Sequence, residues 1–422
     1  MDVLRIEGPV RLSGQVPVNG SKNAALPIMA ATLLAEGKSS LVGIPNLSDV
    51  RVFVELLEHL GCQVERNDQG HMLIDSAVVD NPVGEYEIVR KMRASICILG
   101  PLLARCGRAE VSMPGGCAIG DRPINLHVRG LRELGAKIHL KNGYVIAEAP
   151  DGLTGANIFL GGSFGSTVLG TANVMMAATL AKGRTMIESA ACEPEIADLA
   201  HCLNDMGAQI TGIGSPRLVI EGVRQLHPVE HTVIPDRIEA GTFMVAAAIT
   251  GGEVELTNCR LDDMMAVVDK LRGIGVTLEP AGQGCVVAGA EEIRPADITT
   301  QPYPGFPTDL QAQFMVLLAL AKGNSVVIEK IFPDRFMHVA ELNRMAADLR
   351  KEGPAVVVAG VEKLVAAQVM ASDLRASAAL VLAGMAAEGT TIINRVYHID
   401  RGYEQIEKRL NPLGAKICRE KA

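Results

Sequence analysis

The sequence predicts an α/β protein assembled from six related units, and three regularities lead to that reading. First, a short apolar helix ends at Gly37, Gly107, Gly183, Gly252, Gly323 and Gly389. Each time an extended apolar run follows, as in Leu180-Ala-Lys-Gly-Arg-Thr-Met-Ile187 and Leu320-Ala-Lys-Gly-Asn-Ser-Val-Val-Ile328. Second, a further helix stops about 23 to 28 residues later, at Gly61, Gly135, Gly207, Gly275, Ala346 and Gly414, usually inside a Leu-Gly-Ala-Lys-Ile-like string. Third, the whole pattern returns about every 70 residues.

One unit follows from simple physics. A glycine past a helix end takes the left-handed conformation without a Cβ clash, and the β-branched run beyond it suits a buried strand. The order is helix, strand, helix, strand. A unit of this size covers one face of a sheet but encloses no core alone, so units must pack through their apolar sides. Only Ala346 departs from the glycine rule, so that helix either runs on or ends differently.

The first helix of each unit starts on polar residues. In order these are Lys22 with Asn23, Arg93, Ser166 with Thr167, Asp236 with Glu239, Asp309, and Arg375. Any one of them would ordinarily be a cap or a solvated helix end. If three units gather about an approximate threefold axis, these helix N-termini converge at one end, where they and Lys22, Arg93 and Arg375 attract anions. The expectation is a cleft for a highly anionic ligand. Arg335 and Arg401, in matching linkers of the fifth and sixth units, either join that cleft or lie in surface loops. Arginines suit the forked recognition of carboxylate and phosphate.

Composition fits a large globular enzyme. A chain of 422 residues, 48% hydrophobic with 43 glycines, has room for two domains with full cores. With no Trp and aromatics at 3%, stacking rings for single-stranded nucleic acid are lacking, and a net charge of -8 argues against duplex binding. The N-terminus lacks a charged n-region followed by an apolar h-region, and no long uncharged apolar stretch occurs, so the expected location is cytoplasmic. There is no Walker-type GxxxxGK[ST], and Gly161-Gly-Ser-Phe-Gly165 matches phosphate-binding loops only weakly.

Nine cysteines without regular spacing make no disulfide framework, and nine histidines without HxH or HExxH give a metal site no support. Cys62, Cys97, Cys259 and Cys285 read as small core hydrophobes. Cys117 differs. It stands in Pro114-Gly-Gly-Cys-Ala-Ile-Gly-Asp-Arg-Pro-Ile-Asn-Leu126, where the second unit is longer than the others and where neither helix nor strand is expected. Nearby Arg122 and free backbone N–H groups would lower the thiol's pKa. The alternatives are a chemical loop or a surface turn with an incidental cysteine. Glu193 and Glu195 read as a helix start, whereas Asp236 and Glu239 either carry chemistry or cap their helix and neutralise Lys22 or Arg401.

Six strings carry a family resemblance across essentially the whole chain. They are Ser21-Lys-Asn-Ala-Ala25, the 114–126 loop, Pro235-Asp-Arg-Ile-Glu239, Phe306-Pro-Thr-Asp-Leu-Gln-Ala-Gln313, Asp373-Leu-Arg-Ala-Ser377 and Tyr397-His-Ile-Asp-Arg-Gly-Tyr403. Together they resemble the enolpyruvyl transferase family, in the branch that acts on UDP-N-acetylglucosamine. The cysteine loop separates that branch from the shikimate-pathway transferase. The resemblance implies two inside-out α/β barrel domains with a cleft between them, each of three βαβαββ-like units. One would span 22–233 and the other, discontinuous, 1–21 with 234–422.

The implied reaction moves the enolpyruvyl group of phosphoenolpyruvate to the 3'-hydroxyl of UDP-N-acetylglucosamine in peptidoglycan synthesis, releasing phosphate without cofactor or metal. By resemblance Cys117 is the general acid and Asp309 the acceptor of the hydroxyl proton. Lys22, Asn23, Arg122, Arg375 and Arg401 match the phosphoenolpyruvate site. Arg93, Arg122, Pro123, Ile124, Asn125, Leu126, Gly162, Ser163, Phe164, Gly165, Asp309 and Ile331 match the nucleotide-sugar contacts. Phe164 and the doubled glycine at 161 and 162 depart from the usual pattern. The competing readings are a transferase acting on shikimate 3-phosphate, a non-catalytic six-repeat clamp, and a nucleic-acid end-modifying enzyme. The cysteine loop opposes the first; the acidic charge and the unit-to-unit change of polar residues oppose the others.

Overall fold

The computed structural model describes residues 2–67, 69–114 and 123–421. They divide into two compact units, one of residues 20–67, 69–114 and 123–234, the other of 2–19 and 235–421. Cys117, Arg122 and the rest of the 115–122 segment lie outside the described residues.

The 20–234 unit holds three four-stranded sheets with one strand order. In the first, Glu230–Thr232 runs parallel to Lys38–Val42, which pairs antiparallel with Met72–Asp75, which pairs antiparallel with Gln63–Arg66. The second repeats this with Val83–Gly84, Arg108–Ser112, Tyr144–Glu148 and Lys137–Lys141. The third uses Asn157–Phe159, Arg184–Glu188, Arg217–Glu221 and Gln209–Thr211. Along the strands buried and exposed positions alternate, as in Arg184–Glu188, so one face of each sheet meets helices.

The other unit repeats the plan with a twist of connectivity. Ser13–Pro17 is the parallel outer strand beside Glu253–Thr257, and Asp2–Gly8 sits between Gly389–Asn394 and Ile417–Lys421. The chain's first residues therefore complete the fourth and sixth repeats, whose own sequence lacks those strands.

Two kinds of helix cover the sheets. Arg237–Ile249, Gln311–Leu318 and Leu374–Ala386 are buried on nearly every side and pack on one another, as expected of helices apolar all round. In the first unit Val168–Ala178 plays the same part between Lys22–Ala31 and Leu99–Cys106. Small residues permit the approach: a Cβ on Gly100 would stand 2.2 Å from the carbonyl oxygen of Asn173. Helices such as Ser48–His59 bury one face only.

The marker glycines work differently from expectation. Of the first markers only Gly107 directly caps a described α-helix in the left-handed conformation; Gly37, Gly183, Gly323 and Gly389 have positive φ but stand at the strand entrance, three to six residues past the last α-helical residue. At the fourth repeat Gly251 has the positive φ, while a Cβ on Gly252 would lie 2.2 Å from the Leu12 carbonyl oxygen. The second markers all turn left-handed, and Ala346 does so too, with φ 65°. Its helix, Met337–Arg344, ends like the others.

Side chains reinforce the same turn. Asn204, Asn343 and Asn411 each bond the backbone six residues on, at Ile210, Leu349 and Ile417, through both amide atoms. Arg132 and Arg272 reach the equivalent carbonyls of Ile138 and Leu278.

Candidate functional site

Lys22 opens the helix Lys22–Ala31, whose N-cap Ser21 accepts a hydrogen bond from Ala24 N–H. The Lys22 ammonium lies 3.3 Å from the Asp49 carboxylate, and both side chains are nearly buried. Placed at a helix start, Lys22 concentrates positive potential where N–H groups already point. Asn23 follows in the first turn and is half-buried. Arg93 begins the 3-10 turn Arg93–Ile98, which leads into Leu99–Cys106, so Cys97 lies in that turn rather than in regular helix.

Residues 123–126 lead into the helix Asn125–Glu133, with Pro123 and Asn125 exposed, Ile124 buried and Leu126 half-buried. Gly162 and Gly165 exchange backbone hydrogen bonds of 2.8 and 3.1 Å, which puts Ser163 and Phe164 at an exposed tip. Gly165 has φ 97°, a conformation glycine adopts without strain. Arg129 bonds the carbonyls of Phe159 and Gly161 and lies over the Phe159 ring, holding the base of that tip. A Cβ on Gly162 would come 3.1 Å from Leu126, so the two glycine-rich and 123–126 segments are neighbours.

In the other unit a polar node centres on Asp309, which lies in the 3-10 turn Thr308–Leu310 just before Gln311–Leu318. Its Oδ1 accepts from Arg335 Nη1 at 2.8 Å and its Oδ2 from Arg375 Nη2 at 3.0 Å. Both guanidinium groups are nearly buried, while the carboxylate side chain stays 26% exposed and thus reachable. Arg375 sits in the first turn of Leu374–Ala386, where Asp373 caps by accepting from the N–H groups of Arg375 and Ala376. Arg375 Nη1 donates to Tyr403 Oη at 3.1 Å. Tyr403 Oη meets Thr242 Oγ1 at 2.7 Å, and Gln313 Nε2 donates to Thr242 Oγ1 at 3.1 Å and to the Asp309 carbonyl at 3.0 Å.

Burial works against the Arg375 charge, yet the Asp309 carboxylate raises the guanidinium above its ordinary value and keeps it a cation. Burial also pushes the Tyr403 phenol up, against the pull of Arg375, so it stays a neutral hydroxyl. His338 is pushed down to about 4 by burial and is neutral near pH 7. Ile331 and Arg401 are half-buried, the latter ending the turn Val396–Arg401.

The structure thus brings Asp309 and Arg375 into direct contact and adds Arg335, which is no surface residue. Sequence reasoning missed Gln313, Thr242 and Tyr403. A signal existed: Gln313 lies one helical turn beyond Asp309 in an otherwise apolar stretch. Asp236 caps Arg237–Ile249 by accepting from Ile238 and Glu239 N–H. Glu239 accepts a 2.6 Å hydrogen bond from the Asn19 N–H and lies 3.8 Å from the Arg409 guanidinium. Glu193 is the N-cap of Pro194–Asp205, with Glu195 in the first turn. Among the described residues no group of three or more His, Cys, Asp or Glu could hold a metal ion, and no helix is long and apolar enough to cross a membrane.

Comparison with known proteins adds to this geometry. The family model described as EPSP synthase (3-phosphoshikimate 1-carboxyvinyltransferase) matches residues 6–410. A Geobacter metallireducens protein named UDP-N-acetylglucosamine 1-carboxyvinyltransferase is 54% identical, covering 100% of both chains. A Methylacidiphilum infernorum protein of the same name is 52% identical, covering 99% of each. Among solved structures, the enolpyruvyl transferase NikO from Streptomyces tendae has a TM-score of 0.91 at 24% identity, covering 100% of this chain and 99% of that one. EPSP synthase from Acinetobacter baumannii has a TM-score of 0.76 at 18% identity, covering 100% of both. These two structures establish a shared mixed α/β fold.

Proposed function

We propose that this chain, which belongs to the EPSP synthase (3-phosphoshikimate 1-carboxyvinyltransferase) family of enolpyruvyl transferases, transfers the enolpyruvyl group of phosphoenolpyruvate to the 3'-hydroxyl of UDP-N-acetylglucosamine and releases phosphate. The observation that carries the reading is Asp309 held by two buried guanidinium groups within a chain 54% identical over its full length to a protein of that name. In the finer reading each unit is an inside-out α/β barrel of three βαβαββ-like repeats, and the domains are 22–233 and 1–21 with 234–422.

The chemistry is addition followed by elimination. The sugar hydroxyl attacks C2 of phosphoenolpyruvate while C3 takes a proton; C3 then loses a proton as the C–O bond to phosphate breaks. Cys117 supplies the proton to C3 as general acid. Asp309 accepts from the hydroxyl: two guanidinium groups fix its carboxylate in place, and its side chain is 26% exposed and so can be reached by the incoming group. Lys22, Asn23, Arg122, Arg375 and Arg401 hold phosphate and carboxylate, and the charge of the lysine and the three arginines stabilises the tetrahedral intermediate. The nucleotide sugar is assigned to Arg93, residues 122–126, residues 162–165, Asp309 and Ile331. The exposed Ser163 and Phe164 tip suits a ligand contact, since nothing in the core requires it.

Replacement of Cys117 tests the acid. Phosphate release should persist better in Cys117→Asp than in Cys117→Ser, because a carboxylic acid can still protonate carbon. The Asp variant should also escape alkylation by fosfomycin, an epoxide resembling phosphoenolpyruvate. Equal turnover of the two variants, or equal labelling of Cys117→Asp and wild type, would contradict the assignment.

A further inference from the structure

We infer that Glu329 is a positioning residue for acceptor binding, fixing the Asp309 node and the Ile331 backbone in one geometry. The inference rests on the reading above that Asp309 and Ile331 contact the nucleotide sugar. Glu329 immediately follows the strand Asn324–Ile328 and is fully buried. Its Oε1 accepts from Thr300 Oγ1 at 2.7 Å and from the N–H groups of Ile331 and Phe332 at 2.8 and 3.0 Å. Its Oε2 accepts from Thr308 Oγ1 at 2.9 Å. These four donors are neutral, an unusual environment for a buried carboxylate, which normally has a cation beside it.

The arrangement orders its neighbours. Each threonine has one hydroxyl proton and directs it at Glu329, so its lone pairs face the other way. Thr308 Oγ1 therefore accepts from Arg335 Nη1 at 3.0 Å, and Thr300 Oγ1 accepts from Lys330 N–H at 2.9 Å. The same Arg335 Nη1 reaches Asp309 Oδ1 at 2.8 Å. A continuous path thus runs from Glu329 through Thr308 and Arg335 to Asp309, while a second arm pins the backbone at Ile331 and Phe332. An isosteric amide fills the same volume but accepts at one atom only and turns two hydrogens toward donors, so both arms cannot survive it.

Steady-state kinetics of the full-length protein, with both substrates varied, test the role. Glu329→Gln should raise the KM for UDP-N-acetylglucosamine about tenfold and lower kcat, with the KM for phosphoenolpyruvate within about twofold of wild type. Thr308→Val removes only the relay hydroxyl and should act in the same direction, and Thr308→Ser should restore wild-type values. If Glu329→Gln does not fold, the two Thr308 variants decide. Unchanged KM values in Thr308→Val, or equal rises for both substrates, would overturn the positioning role. A wild-type protein without turnover of this acceptor would instead overturn the functional reading on which it rests.

Discussion

Arg375 shows how much of this site depends on single side chains. Its guanidinium spans Asp309 and Tyr403 with separate Nη atoms while almost wholly buried, so its two partners are set at a fixed separation. A lysine ammonium would present one point charge where the planar fork presents two directed donors. Arg375→Lys should therefore lower kcat/KM by about 30- to 150-fold, because removing one directed contact to a buried charged group costs about 2–3 kcal/mol. Assays of phosphate release check this, and a loss below about threefold would mean that the fork geometry is unimportant. The masking of such residues by context also explains why sequence reasoning left Arg335 with two alternatives. A lone arginine in a linker string looks alike whether it points to solvent or to a carboxylate, and only the fold brings Thr308 and Asp309 beside it.

At the scale of the element, the repeated helix end is governed by one left-handed residue. Ala346 adopts φ 65° where the other five second markers are glycines, and a Cβ in that region costs roughly 1–2 kcal/mol. Ala346→Gly should raise stability by about 0.5–1 kcal/mol in urea unfolding, part of the relief being offset by glycine's greater unfolded-state entropy. No gain would show that the turn is not strained. Glu239 gives a second test. Burial pushes its carboxyl from 4.5 up to about 7, opposed by Arg409 and the Asn19 N–H. A folded-state value above the unfolded one stabilises the protein fully below the lower value and loses that contribution as pH rises toward 7. Stability of wild type should therefore fall between pH 4.5 and 7 more steeply than that of Glu239→Gln, measured by denaturant titration across that window; parallel profiles would contradict it.

For the whole molecule, the repeats were legible because they are written in local chemistry: glycines at the turns and β-branched residues in the strands. Which strands complete which sheets was not legible, since the pairing of Asp2–Gly8 with Gly389–Asn394 joins residues nearly a chain length apart. The Glu329 network was hidden for a related reason, its partners being hydroxyls and backbone N–H groups with no distinctive spacing. The same topology makes an asymmetric forecast about fragments. Residues 20–234 contain every strand of their three sheets, whereas 235–422 lacks Asp2–Gly8 and Ser13–Pro17. The first fragment should unfold cooperatively on its own, and the second only when a 1–19 peptide is supplied. Calorimetry would reveal either outcome.

The most direct measurement is phosphate release from phosphoenolpyruvate by the purified protein, offered UDP-N-acetylglucosamine in one reaction and shikimate 3-phosphate in another. Release that depends on UDP-N-acetylglucosamine and is absent with shikimate 3-phosphate is the expected result. Release supported by shikimate 3-phosphate alone, or by neither acceptor, would contradict the account.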